Sequence, residues 1–226
     1  MKLLAIETST EACSVAVYVD GAVHARHELA PRRHTQLVLP WADQLLAEAG
    51  LRKSQLDAIA VGRGPGAFTG VRLAIALAQG LALALDRPVL PVSTLAVLAM
   101  QGQGPHVVAA IDARMGEVYL GQFLREHDGL VTATSDERIL PPARAEALVQ
   151  PHAGVGTGFA AEQGALVTAL GAALSHFDAA ALPRAADLAR LAARAWTRGE
   201  AVAPDHIEPA YLRDKVALTL VEQGKA

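Results

Sequence analysis

The chain has 226 residues, 52% hydrophobic but only 4% aromatic, with 20 Lys and Arg against 23 Asp and Glu for a net charge of −3. That length suits one large or two small domains with a substantial core, which excludes extensive disorder. The mild acidity argues against a chain that grips nucleic acid unaided, because phosphate binding needs clustered Lys and Arg. Cys13 is the single cysteine, so neither an internal disulfide nor a cysteine-based metal site can form, and a buried inert thiol is expected.

The N-terminal LLAI run is ended by Glu7 well short of a signal-peptide core. SVAVYV and AVHARHEL then carry β-branched residues about an Asp20-Gly21 hairpin turn, so residues 3–29 read as three strands. Residues 34–49 place apolar side chains at 37, 38, 41, 45 and 46, a helical period that Gly50 closes and Pro40 either kinks or starts. LDAIAVG (56–62) is a buried strand, and GRGPGAFTG follows it. Residues 69–85 form a helix apolar nearly all round, to be buried on most sides or covered by another chain. Arg72, Gln79 and Gly80 interrupt it as a membrane span, so a cytoplasmic protein is expected. PVLPVS gives a parallel strand and TLAVLAM starts a helix.

QGQGP (101–105) marks a boundary between residues 1–102 and 103–226. After it, VVAAIDARMGEVYLGQF repeats the plan of LLAIETSTEACSVAVYV: apolar strand, acid-led polar turn, second strand. A further strand falls within 130–140, helices over 142–150, 160–174 and 183–198, and GVGTGF (154–159) is a second glycine-rich turn. The second half is short, with its last helix expected to pack back on the first. Hairpins together with strand–helix alternation imply an α/β architecture with mixed sheets.

GRGPGAFTG is neither a P-loop nor a dinucleotide fingerprint, since no Gly-Lys-Ser/Thr follows and its glycines are wrongly spaced. Glycines ahead of a helix can present amides to an anion, but Pro65 removes a donor, and glycines also let a strand turn into a packed helix. The ETST turn offers the hydroxyls of Thr8, Ser9 and Thr10 beside Glu7, an arrangement equally explained by side-chain bonding to local backbone. Eight scattered histidines supply no helical metal pair, and no Gly-x-Ser-x-Gly elbow offers a nucleophile. The clearest signal is two apolar stripes, Leu37, Val38, Trp41 and Leu45 on one helix and Leu73, Ala76, Leu77 and Gly80 on the other. Ala76 and Gly80 would let a second helix approach closely, so both stripes are candidate partner surfaces.

Taken together, LLAIETSTEACSVAV, RRHTQLVLPWADQLLAEAGL, LDAIAVGRGPGAFTGVRLAIALAQGLALAL, PVLPVSTLAVLA, IDARMGEVYLG and PAYLRDKVA resemble the TsaB (YeaZ) family, in order and most densely over residues 3–98. The resemblance implies an actin-like ATPase fold, with two lobes that each hold a mixed sheet flanked by helices. It also implies a bacterial accessory subunit in making threonylcarbamoyladenosine at tRNA position 37, and not an enzyme. The catalytic paralogue TsaD carries a metal-binding His-x-Glu-x-His segment directly after the strand that here reads PVLPV. Thr94 and Leu98 stand where its two histidines would fall, so the resemblance implies no catalytic residue and no metal site.

The implied partners are TsaD, as a heterodimer through helices 35–49 and 69–85, and the small ATPase TsaE in a ternary complex, with TsaC supplying the activated threonylcarbamoyl group. A self-pairing through the same helices is a further expectation, and tRNA would be contacted mainly through TsaD. No cofactor is required. A vestigial site for weak ATP or ADP with magnesium would comprise Glu7, Thr8, Ser9, Thr10, Asp112, Gly156 and Gly158. Glu7 departs from the superfamily's usual Asp and puts its carboxylate one methylene further out. The alternatives are a small-molecule kinase of the same fold using Glu7 and Asp112, or an M22-type peptidase.

Overall fold

The structure, a computed structural model, describes residues 1–213; residues 214–226, part of the expected second half, lie outside it. It begins with a meander of β1 (Lys2–Glu7), β2 (Ala12–Val19) and β3 (Ala22–Leu29). Asp20 and Gly21 turn the second hairpin with φ of 47° and 104°, the paired positive values of a type I′ turn. Next come α1 (His34–Glu48), β4 (Ala58–Gly62), α2 (Phe68–Leu85), β5 (Val89–Val92) and α3 (Thr94–Ala99). Helix α1 starts at His34 and runs through Pro40, which lies on its exposed side.

The second half repeats the meander as β6 (His106–Arg114), β7 (Glu117–Arg125) and β8 (Val131–Ala133), with β9 (Arg138–Leu140) also pairing β7. It continues through β10 (His152–Val155), α4 (Ala165–Leu170), β11 (Leu174–Asp178) and α5 (Ala185–Thr197). The first sheet is ordered β3-β2-β1-β4-β5 and the second, read from the matching edge, β8-β7-β6-β10-β11. In each, an antiparallel meander is extended by two parallel strands. The repeat expected from two similar segments therefore extends to whole sheets.

Two sequence expectations fail. Residues 142–150 hold only a 3-10 turn at Pro142–Arg144, because the Leu148 amide is drawn away to the Leu170 carbonyl at 3.2 Å. The expected helix over 160–174 shrinks to α4, since Gly164 and Gly171 adopt φ of 80° and 72° at its two ends. The chain then enters β11, an exposed edge strand without the apolar alternation that would have marked it.

Strand alternation divides the first sheet into unlike faces. Leu4, Ile6, Val15, Val17, Ile59 and Val61 point to α1 and α2. Leu3, Ala5, Ala16, Ala58 and Ala60 point the other way, into a core shared with α3, α5 and β6. Alanines on the sheet meet Ala185, Ala189 and Ala192 of α5, so a helix from the second half seats closely on the first sheet. The first α5 amide, at Ala185, donates to Ser14 Oγ at 2.9 Å, and that hydroxyl donates to the Arg26 carbonyl at 3.1 Å. Buried Ser14 thus caps a helix 171 residues away in sequence. Ser14→Ala orphans that amide and should lower stability by about 1–2 kcal/mol, a fall of roughly 2–8 °C in Tm. A thermal melt checks this, and an unchanged Tm would show that another group takes the amide.

Candidate functional site

The loop between β4 and α2 packs directly beneath the β1–β2 turn. A Cβ on Gly62 would lie 1.9 Å from Glu7 Oε2, one on Gly66 2.4 Å from the Ser9 carbonyl, and one on Gly70 2.1 Å from the Thr8 carbonyl. Glycine at every fourth position lets two backbones touch where side chains would separate them. Hydrogen bonds fix the contact: Ala67 N donates to Ser9 O at 2.7 Å and Thr8 Oγ1 to Gly70 O at 2.7 Å. Thr10 Oγ1 accepts from Ala12 N at 3.3 Å, and His34 Nε2 lies 3.0 Å from Thr10 O and 3.2 Å from Ala12 O. With carbonyls as both partners, His34 carries its proton on Nε2 and serves the turn, not a metal.

Glu7 is buried, its Oε1 accepting from Ser9 N at 2.7 Å and its Oε2 lying 3.3 Å from Thr94 Oγ1. Burial pushes its carboxyl above the usual range, opposed by the bonds from Ser9 and Thr94. Cys13 is buried too, and burial, with Glu28 adding to it, pushes its thiol up to about 12.

In the second half, Asp112 Oδ1 accepts from Arg114 N at 2.7 Å, and its Oδ2 pairs with Arg114 Nη1 at 2.8 Å. Arg114 Nη2 reaches across to Glu11 at 3.0 Å, joining the two acid-led turns. Gly156 and Gly158 are buried against β6, where a Cβ would lie 2.2 Å from Ala110 O and 2.6 Å from Ala110 Cβ. They allow close packing and show no open face to an adenosine. Asp112 N donates to Thr157 Oγ1 at 3.1 Å.

Between the halves lies a cavity of about 660 Å³, walled in part by Ser9, Thr10, Asp112 and Thr157. Ser9, Thr10 and Asp112 are thus gathered around one cleft, while Glu7, Thr8, Gly156 and Gly158 sit behind its surface as packing elements. Residues 209–213 also line it: Ala210 N donates to Arg63 O at 2.8 Å, Arg72 donates to Tyr211 Oη at 2.5 Å, and Arg213 pairs with Glu117 at 2.7 Å. Both acids are already committed, Glu7 to the Thr94 hydroxyl and the Ser9 amide and Asp112 to an arginine. The residues present therefore do not fit a magnesium–nucleotide. Thr94 is buried against Glu7, and Leu98 packs where a Gly156 side chain would go, so neither faces a metal. Among the described residues no group of three His, Cys, Asp or Glu could hold one. Ser175 Oγ stands 3.1 Å from His176 Nδ1 but donates to the His152 carbonyl at 2.8 Å, so it is not an activated nucleophile.

The apolar stripes divide differently from the sequence reading. Val38 and Leu45 are buried in the chain's own core and offer a partner no surface; Leu37 and Trp41 are half-buried at its edge. On α2, Val71, Ala74, Ile75, Ala78 and Ala82 face the sheet, leaving thirteen of its eighteen residues unburied. Ala76 and Gly80 are exposed, Leu73 and Leu77 half-buried, and nothing lies within 4 Å of where a Gly80 Cβ would be. Leu83, 67% exposed, and Leu39, 42% exposed, also stand out. Sequence reasoning missed Leu83, though continuing the stripe one turn past Gly80 reaches it. By length and composition α2 could cross a membrane, the one such helix among the described residues, although its inner face is packed on the sheet.

Comparison with known proteins agrees with this architecture. The family model described as "TsaD: tRNA N6-adenosine threonylcarbamoyltransferase" matches residues 23–220. The chain is 42% identical to the tRNA threonylcarbamoyladenosine biosynthesis protein TsaB of Escherichia coli K12 over 96% of each chain. It is 40% identical to the protein of that name from Haemophilus influenzae, covering 96% of this chain and 95% of the relative. A Pseudomonas aeruginosa crystal structure, described as an uncharacterized protein with similarity to peptidase YeaZ, superposes with a TM-score of 0.86 at 46% identity. It covers 94% of this chain and 99% of that one. The two repeated sheets are those of the actin-like fold. On this evidence the chain belongs to the TsaB (YeaZ) family of tRNA threonylcarbamoyladenosine biosynthesis proteins.

Proposed function

We propose that this protein is a non-catalytic scaffold of the complex that adds threonylcarbamoyl to N6 of adenosine 37 in tRNAs reading ANN codons, and that it acts by heterodimerising with TsaD. The observation that carries this reading is the outer face of α2. Leu73, Ala76, Leu77, Gly80 and Leu83 form an apolar stripe that the chain's own core covers only in part, with open space at Gly80 for a second backbone. Small residues four apart permit close helix–helix approach, and large neighbours supply the apolar area that drives association. Leu37 and Trp41, half-buried on α1, border this surface in the proposed complex.

The committed acids support an accessory role, since among the described residues both cleft carboxylates, Glu11 and Asp112, pair with Arg114 and the segment after β5 supplies none. TsaE joins the pair in this reading, TsaC provides the activated threonylcarbamoyl group, and tRNA is held mainly by TsaD in the cytoplasm. The same stripe lets the isolated chain pair with itself, because a self-complementary apolar helix face favours two-fold association. No cofactor is needed for a part whose work is adhesion.

Leu77→Glu or Gly80→Arg should weaken association with TsaD at least roughly 30-fold, equivalent to about 2 kcal/mol. Gel filtration should then show separated subunits while circular dichroism stays unchanged. Undiminished co-elution would place the docking surface elsewhere.

A further inference from the structure

Residues 201–213, beyond α5, cross from the first half of the molecule to the second. They start on the first half: the amide and carbonyl of Val202 are each bonded to Val89 of β5 at 2.9 Å, and Ile207 is buried in the core beneath α1 and α2. The segment then runs antiparallel along the flank of α2. Gln79 Nε2 donates to the Pro204 carbonyl at 2.9 Å. About two turns nearer the helix start, Arg72 Nη2 donates to Tyr211 Oη at 2.5 Å. The same guanidinium stacks 3.3 Å over the Phe68 ring. Past Tyr211 the chain lines the cleft, and Arg213 reaches the β6–β7 turn of the second half. Its Nη2 pairs with Glu117 at 2.7 Å and lies 3.2 and 3.3 Å from the Ala113 and Arg114 carbonyls, while Nη1 lies 3.4 Å from Met115 Sδ.

That turn is strained. Arg114, Met115 and Gly116 take φ of 62°, 57° and 75° in succession, and in the first two the Cβ crowds the following carbonyl. Strained backbone persists only where neighbours hold it, and the Arg213 guanidinium is the group from the segment that does so. The turn in turn presents Arg114 to Glu11 across the cleft, in a pair whose side chains are 71% and 47% exposed. So exposed a pair contributes little by itself, whereas Arg213 and Glu117 are only 20% and 31% exposed. Whether Arg114 spans the cleft is therefore decided by how the turn is held.

We propose that residues 201–213 are a latch that ties the flank of α2 to the β6–β7 turn and, by holding that turn in its strained form, keeps the two halves bridged at the cleft mouth. Arg72 stands one turn from Ala76 of the outer stripe, so a partner seated on α2 acts on the latch. This consequence rests on the proposed function.

Amide hydrogen exchange read by mass spectrometry tests the latch. Within the turn, the Asp112 amide is bonded to Thr157 Oγ1 and the Arg114 amide to Asp112 Oδ1, so exchange over 112–117 reports its opening. Arg213→Ala should speed that exchange at least about tenfold relative to β10, whose buried residues report wider opening of the second half. Tyr211→Ala removes a side chain whose hydrogen bond is to Arg72 on α2, and it should still speed exchange over 112–117 at least roughly threefold. An unchanged rate over 112–117 in either variant would overturn the latch. Saturating TsaD should slow exchange over 112–117 in the native chain and leave it unaltered in Tyr211→Ala. TsaD bound without that protection would overturn the link between docking and latch. TsaD that fails to bind the native chain would contradict the proposed function instead, with the two variants still deciding the latch.

Discussion

The structure depends on two backbones touching. The β1–β2 turn rests on the loop that enters α2, and Gly62, Gly66 and Gly70 are the positions at which any side chain would hold them apart. The contact sets where α2 begins and, since the helix packs on the first sheet through Val71, Ala74, Ala78 and Ala82, which of its faces turns outward. A loop that looks able to cradle a ligand is consumed in placing a helix. Its amides and the hydroxyls above it are spent on the chain's own carbonyls and on Glu7.

Small residues recur where close approach is needed. Alanines on the inner face of the first sheet admit α5, whose first amide is held by Ser14, and this seats the second half on the first through a common core. Gly156 and Gly158 bring the turn after β10 against β6 in the same manner. On the outer face of α2 the small residues Ala76 and Gly80 meet nothing. Close packing used inside the molecule everywhere else is there left open, and this gives the adhesion proposal its physical basis.

Much of this was legible in the sequence. The meander, α1, α2, β5 and α5 announce themselves through apolar period, the Asp20-Gly21 turn and Gly50, and the repeated strand–turn–strand segment anticipates the repeated sheet. Residues 142–150 failed because a tertiary bond from Leu148 to Leu170 outweighs local helical tendency, and β11 failed because an exposed edge strand needs no apolar alternation. At the site, the sequence reading placed Ser9, Thr10 and Asp112 together but not which of the named side chains turn inward. Nothing in ETST reveals that Glu7 turns inward onto Gly62, or that Asp112 is held by an arginine two residues on. Stripes on α1 likewise mix core with edge: Val38 and Leu45 sit one turn from exposed neighbours and differ only in which side meets the sheet. Periodicity identifies an apolar face, and only the packed structure says what already covers it.

The central claim is that the protein works by its outer helix face and not by chemistry in the cleft. The direct measurement is threonylcarbamoyl transfer to tRNA in a reconstituted system with TsaD, comparing native protein with an Asp112→Asn variant. The account predicts equal modification, because the Asp112 side chain only steadies Arg114, whose other nitrogen reaches Glu11 of the first half. Modification lost while the variant still binds TsaD would contradict it, by showing that the cleft takes part in the reaction.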